Sequence, residues 1–228
     1  MNLNKYDIDR NSGYTKTIMD VEVLNKSLQL IEEIYDESLI GGPDVGMIKP
    51  LIHSLDINHW EGKQWLVDIF SMLYDRDNGS FYVGGGWMGL LPYLIRKEWN
   101  NKDLIITSGD IAPICEEIGN RLFNDQNINF ITEDIIARDI SQYSAIISTS
   151  SEHITKDNLE KFVRSKSPDT WVVLQSNNYF EPKSHINCYN SVEEFADWIQ
   201  PLLTDKLYYI GILPLKDWGF DRFMVIGK

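Results

Sequence analysis

The chain has 228 residues, 43% of them hydrophobic and 12% aromatic, which supplies the core of one α/β domain with an extra segment and excludes a disordered chain. Its 34 acidic residues outnumber 21 basic ones for a net charge of −13, and no basic run offsets this, so a nucleic-acid partner is disfavoured. No apolar run reaches the roughly 18 residues of a membrane span, the amino end MNLNKYDIDRNSGY is too polar for a signal peptide, and Cys115 and Cys188 sit far apart without metal spacing, so the expectation is a cytoplasmic protein with reduced thiols.

In chain order, the first 78 residues read as helical. Thr17 and Asp20 are spaced for a capping box ahead of a helix in which Val21, Leu24, Leu28, Ile31 and Tyr35 recur at helical intervals, up to the stop signal Gly41 to Pro43. A second amphipathic stretch puts Trp65, Ile69 and Met72 on one face. The turn-rich YDRDNGS, Tyr74 to Ser80, then closes an N-terminal helical cap over residues 1–78 and opens a second unit over 79–228.

From there short apolar runs alternate with helical ones, the pattern of βαβ units around a mostly parallel sheet. The strand candidates are Phe81 to Gly85, Leu104 to Ser108, Ile128 to Thr132, Ser144 to Thr149 and Thr170 to Gln175, each apolar throughout as a strand covered on both faces requires. Between them, Ala112 to Phe123 reads as a helix with Pro113 in its first turn and Ile114, Ile118 and Leu122 along one stripe. Another starts at Ser191, with Glu194 returning the cap bond and Phe195, Trp198, Ile199 and Leu202 facing inward. The last two runs, KLYYIGILPL and FDRFMVIGK, are separated only by KDWG and predict an antiparallel hairpin.

Three consecutive glycines directly after the first strand are the most informative feature. Gly84, Gly86 and Gly89 fill G-x-G-x-x-G between a strand and a helix, and with Gly85 they let a ligand approach the main chain without meeting a Cβ. Asp110 follows at the end of the next strand, where a carboxylate holds the hydroxyls of a ribose. Together they point to a nucleoside ligand. The structural alternative is a tight turn with Asp110 capping the helix at Pro113.

The order YVGGGWMG, ITSGDIAPICEEIGNRL, FITEDI and closing hairpin resembles a class I S-adenosylmethionine-dependent methyltransferase over Gly79 to Lys228. The segments STSSEHI, LQSNN and DRFMVIG also look like small methyltransferase-like proteins of tailed phages. The resemblance implies a Rossmann-like seven-stranded sheet whose last strand is antiparallel, with S-adenosylmethionine as cofactor. It implies Gly84 and Gly86 beneath the methionine part, Asp110 on the ribose, Ile111 against the adenine and Asp134 at its amino group. Tyr82 stands where the family usually has an acid. Two other readings stay open: a nicotinamide-dependent oxidoreductase, which would need to hold an anionic pyrophosphate, and a non-catalytic nucleoside-binding protein on the same fold.

Ligands of open α/β sheets bind beyond the carboxyl ends of the strands, where SSEHI and SNNYFEPKSHIN fall. His153 is the candidate base for a hydroxyl or amine acceptor and Glu152 its orienting partner, with helix capping as the alternative use of the pair. Glu152, Asn177 and Asn178 would offer oxygens to Mg²⁺, but one carboxylate is little charge for a hard cation. No metal ligand is therefore assigned. His185 could join either scheme, although a lone loop histidine reads first as a surface group. SNNYF lacks the prolines of the base-methylating motif (Asp/Asn)-Pro-Pro-(Tyr/Phe) and follows the wrong strand. The expected acceptor is a small molecule or a protein side chain. Trp60, Trp65 and Trp87 are assigned to core packing before pocket lining.

Overall fold

The continuous apolar runs form one sheet in the computed structural model, which describes residues 6–10, 19–40, 45–76, 78–100 and 103–228. Thr17 and the stop at Gly41 to Pro43 lie outside these residues. The described residues hold eight strands: β1 (Asp9–Arg10), β2 (Asn78–Gly84), β3 (Asp103–Asp110), β4 (Ile128–Thr132), β5 (Ala145–Ser148), β6 (Trp171–Asn177), β7 (Leu207–Leu215) and β8 (Phe220–Gly227). Their order is β1-β7-β8-β6-β5-β2-β3-β4. Every neighbouring pair is parallel except β8, which runs antiparallel to both β6 and β7.

The Rossmann-like sheet with a closing antiparallel hairpin is thus the architecture, and the seven expected strands gain an eighth. β1 comes from the segment read as helical cap, and its two residues pair with Gly211 and Ile212. Two residues show no alternation, so only the docking of Tyr209 Oη on Asp9 (2.8 Å) and Tyr6 Oη on Asp197 (2.6 Å) reveals the strand. In the centre, all seven residues of β6 are buried, as a strand covered on both faces requires.

The helices are α1 (Val21–Leu39), α2 (Ile48–Ser54), α3 (Ile57–Leu73), α4 (Leu90–Glu98), α5 (Pro113–Leu122), α6 (Lys156–Arg164) and α7 (Val192–Ile199). Asp20 caps α1 by itself, accepting from Glu22 N at 2.9 Å. Its other oxygen takes Tyr93 Oη (2.7 Å) and Lys97 Nζ (2.6 Å), and the Lys97 bond holds the carboxyl down at about 2. α1 is turned away from the predicted face: it buries Val23, Ser27, Leu30 and Ile34, while Val21, Leu28 and Tyr35 stay more than half exposed. Both stripes have helical spacing; the inward one packs Val23, Leu30 and Ile34 into the core, and Arg121 of α5 bonds to Glu33 and Glu37 at 3.1 Å beside it.

α3 corrects a second expectation. Met72 is exposed, whereas Trp60, Trp65, Leu66, Val67 and Phe70 are buried in the same core as Phe81, Trp171 and Met224 of the sheet. The boundary near residue 78 is therefore a change of sequence pattern within one continuous core. On α7, Ser191 accepts from Glu194 N at 3.3 Å as predicted, but Glu194 returns its bond to Asn190 N (2.9 Å), one residue earlier.

Candidate functional site

The strand order reverses at β2, with β3 on one side and β5 on the other, which places a crevice beyond their carboxyl ends. There the glycine bend folds back on β3, since Gly85 N and Gly86 N both donate to Gly109 O, at 2.9 and 3.1 Å. The glycines have different jobs. A Cβ on Gly84 would meet Ile135 at 2.6 Å, on Gly86 Ser108 Oγ at 2.0 Å, and on Gly89, the left-handed N-cap of α4, Phe130 at 2.7 Å. Those three serve close packing. Gly85 adopts φ +68° and a Cβ there would find only Ser150 Cβ, at 3.7 Å, so its main chain alone is open to the crevice.

Asp110 ends β3 and fastens this bend. Its Oδ2 accepts from Trp87 N and its Oδ1 from Ala112 N, both at 3.0 Å. With Gly85 and the 73%-exposed Ile111 it lines a cavity of about 910 Å³, large by the standard of ligand sites. Asp134 is not in that lining. Its carboxylate accepts from Ile136 N in a local turn (3.1 Å), and the cavity is met instead by Glu133 and Ile135 on either side of it. Glu133 is paired with Arg138 at 2.5 Å. Tyr82, where the sequence resemblance implies an acid, is buried among Tyr143 and Phe162, and burial raises its phenol well above the ordinary range. The hydroxyl runs under Gly109, where a Cβ would meet it at 2.6 Å.

A second part of the wall comes from the loops after β5 and β6. Glu152 lies in a single 3₁₀ turn, Ser151–His153, and its main-chain oxygen accepts from Ile186 N (2.8 Å) and Asn187 N (3.1 Å), clamping the two loops together. Its side chain is 5% exposed, with Oε1 3.7 Å from the buried Arg222 and Oε2 without a hydrogen-bond partner. Arg222 in turn donates to Thr149 O at 3.0 Å. His153 is oriented by Ser184 O (Nδ1, 3.0 Å) in place of the expected Glu152. His185, read as a surface group, is half-buried, donates Nδ1 to Tyr179 O at 2.7 Å, and stands edge-on to His153 with ring centroids 4.7 Å apart. The Mg²⁺ set is not assembled, because Asn177 Oδ1 accepts from Tyr179 N (2.9 Å) and Asn178 Oδ1 from Asp221 N (2.8 Å).

The third part comes from the cap, the glycine loop and the hairpin, and of its residues only Trp87 is singled out by the sequence. His53, His59, Trp87 and Trp218 form an aromatic group with centroid separations from 4.9 to 6.3 Å. Burial lowers the His59 pKa far below the usual imidazole range, so its ring is neutral. Lys63 of α3 is buried beside it, 5.8 Å from the Trp87 ring centre. Burial first, and Arg222 next, pull its pKa to about 7 against the opposing field of Glu152. Of the three tryptophans singled out, Trp60 and Trp65 are core and Trp87 lines the cavity. Both cysteines are free thiols. No described helix is long and apolar enough to cross a membrane.

No family model and no curated protein matches the chain. Solved structures do. The Burkholderia thailandensis 1,6-didemethyltoxoflavin-N1-methyltransferase with bound 1,6-didemethyltoxoflavin and S-adenosylhomocysteine is 10% identical, covering 93% of this chain and 92% of that one at a TM-score of 0.57. A geranyl diphosphate methyltransferase in complex with SAM is 12% identical over 85% and 94% of the two chains, at 0.57. The mitomycin 7-O-methyltransferase MmcR is 14% identical over 89% of this chain and 60% of its own, at 0.56. At such identities the likeness is one of fold, a Rossmann-like α/β fold that these methyltransferases share.

Proposed function

On that fold, we propose that the chain is an S-adenosylmethionine-dependent methyltransferase whose acceptor is a small molecule received in the same cavity. The observation that carries this reading is the pairing of Gly85, whose main chain is bare toward the crevice, with Asp110 on the lining beside it. The residues suit an adenosyl group. Each Asp110 oxygen holds one backbone N–H and the Cys115 thiol bonds to the same carboxylate, so of its about four acceptor positions one is left for a sugar hydroxyl. The exposed Ile111 offers an apolar surface for the base. When bound, S-adenosylmethionine supplies a methyl group on a sulfonium, which asks the protein mainly for alignment.

The chain's own work is then positioning and proton handling. The Ser184 carbonyl can only accept, so His153 Nδ1 carries the proton and Nε2 the lone pair. That places the candidate base on the wall of the acceptor cavity, next to the buried Glu152. A cytoplasmic setting belongs to the same reading, in keeping with two free thiols.

Thermal unfolding with added S-adenosylmethionine, S-adenosylhomocysteine and NAD separates the possibilities. Either adenosyl ligand at 100 times its dissociation constant should stabilise the fold by about 2.7 kcal/mol, and Asp110→Ala should abolish the response. A response to NAD alone, or to none of the three, overturns the assignment. His153→Ala should remove turnover while S-adenosylhomocysteine affinity stays within about threefold.

A further inference from the structure

We propose that Glu152, His153 and His185 form a binding site for a divalent first-row transition ion of the zinc type, open to the acceptor cavity. One donor atom from each lies within 4.8 Å of the other two, although the residues come from two different loops. Two further observations point to a ligand. Both imidazoles donate Nδ1–H to main-chain carbonyls, His153 to Ser184 and His185 to Tyr179, which leaves Nε2 of each as the lone-pair nitrogen. Metal-bound histidines are ordinarily held this way, because the second bond fixes tautomer and ring plane. Glu152 meanwhile buries Oε2 with no hydrogen-bond partner, at a desolvation cost that a cation would offset.

The donor set selects the ion. Two imidazoles and one carboxylate suit zinc, iron, cobalt or nickel, whereas Mg²⁺ and Ca²⁺ ask for oxygen throughout. Bonds of about 2.1 Å require donors within about 3.5 Å of one another, so the side chains must draw in on the ion, and the exposed His153 has room to turn. Arg222 and Lys63 lie close enough to Glu152 to weaken binding, which sets the site apart from closed structural zinc centres. Three protein ligands leave a position facing the cavity, where an acceptor oxygen or nitrogen would bind and become more acidic. As a device for activating the acceptor the site rests on the methyltransferase reading, and with metal bound it takes the place of His153 as free base, because a coordinated Nε2 has no lone pair left for a proton; as a binding site it does not.

The test is titration of the full chain with Zn²⁺ by calorimetry and with Co²⁺ by visible absorption. The expected result is one equivalent bound, with Co²⁺ showing the d–d bands of a nitrogen and oxygen site. His153→Ala and His185→Ala should each weaken binding at least tenfold, and His59→Ala, a cavity histidine outside the trio, should leave it unchanged. Absence of stoichiometric binding overturns the proposal, as does binding indifferent to His185→Ala or equally lost in His59→Ala. His153 is exposed, so its variant keeps the fold if His185→Ala does not. An S-adenosylhomocysteine response that persists without metal binding would sink this site alone and leave the methyltransferase assignment standing.

Discussion

The main chain of α3 at Gly62 lies against the side chain of Arg222, so closely that a Cβ at residue 62 would meet Arg222 Cδ at 3.0 Å. Gln175 of β6 donates to the Gly62 carbonyl at 2.7 Å, so the cap helix and the sheet are locked at the same residue. A mid-helix glycine costs about 1 kcal/mol relative to alanine, and its use here is to let a buried guanidinium pass beneath the helix to Thr149 and Glu152.

Replacing that glycine should therefore be felt both in stability and in the cavity. Gly62→Val is expected to destabilise the protein by about 1–3 kcal/mol through overpacking, read as a lower urea midpoint with an unchanged slope. An unaltered midpoint would mean that Arg222 has another route to Glu152.

Gly85 tests the open main chain. Gly85→Ala places its methyl in free space but at φ +68°, so the fold should lose only about 1–2 kcal/mol. The methyl would stand where the cofactor approaches. S-adenosylhomocysteine affinity should fall at least tenfold, about 1.4 kcal/mol, and unchanged affinity would show that the nucleoside does not reach this bend.

Lys63 gives the pH dependence. Its pKa is about 7 in the folded chain against 10.5 ordinarily, so between those values the unfolded state binds more protons. The stability attached to this group is present above 10.5, declines as pH falls, and is gone below about 7, where burial of the charge weighs in full. Lys63→Met should thus stabilise the protein most at pH 6, by at most about 5 kcal/mol at about 1.4 per pK unit. The gain should shrink by pH 9. Equal gains at both pH values would show that the ammonium is not the source.

The sequence by itself determined the sheet and the first half of the site. Continuous apolar runs with turn residues between them can bury both faces only in a covered parallel sheet, so β2 to β8 and the closing hairpin follow from local pattern. Gly85 and Asp110 were legible for the same reason: both sit at strand ends, where chain order alone brings them together. Only the tertiary structure chose which stripe of α1 turns inward, since two stripes had helical periodicity and packing against the rest of the core decides between them. It also decided that Asp134 serves a local turn and that Glu133 and Ile135 meet the cavity. Lys63, His185 and Arg222 are separated by up to 159 positions and share no spacing or repeat. What unites them is proximity in a low-dielectric space, and the packing of α3 and the β6–α7 loop onto the sheet creates it.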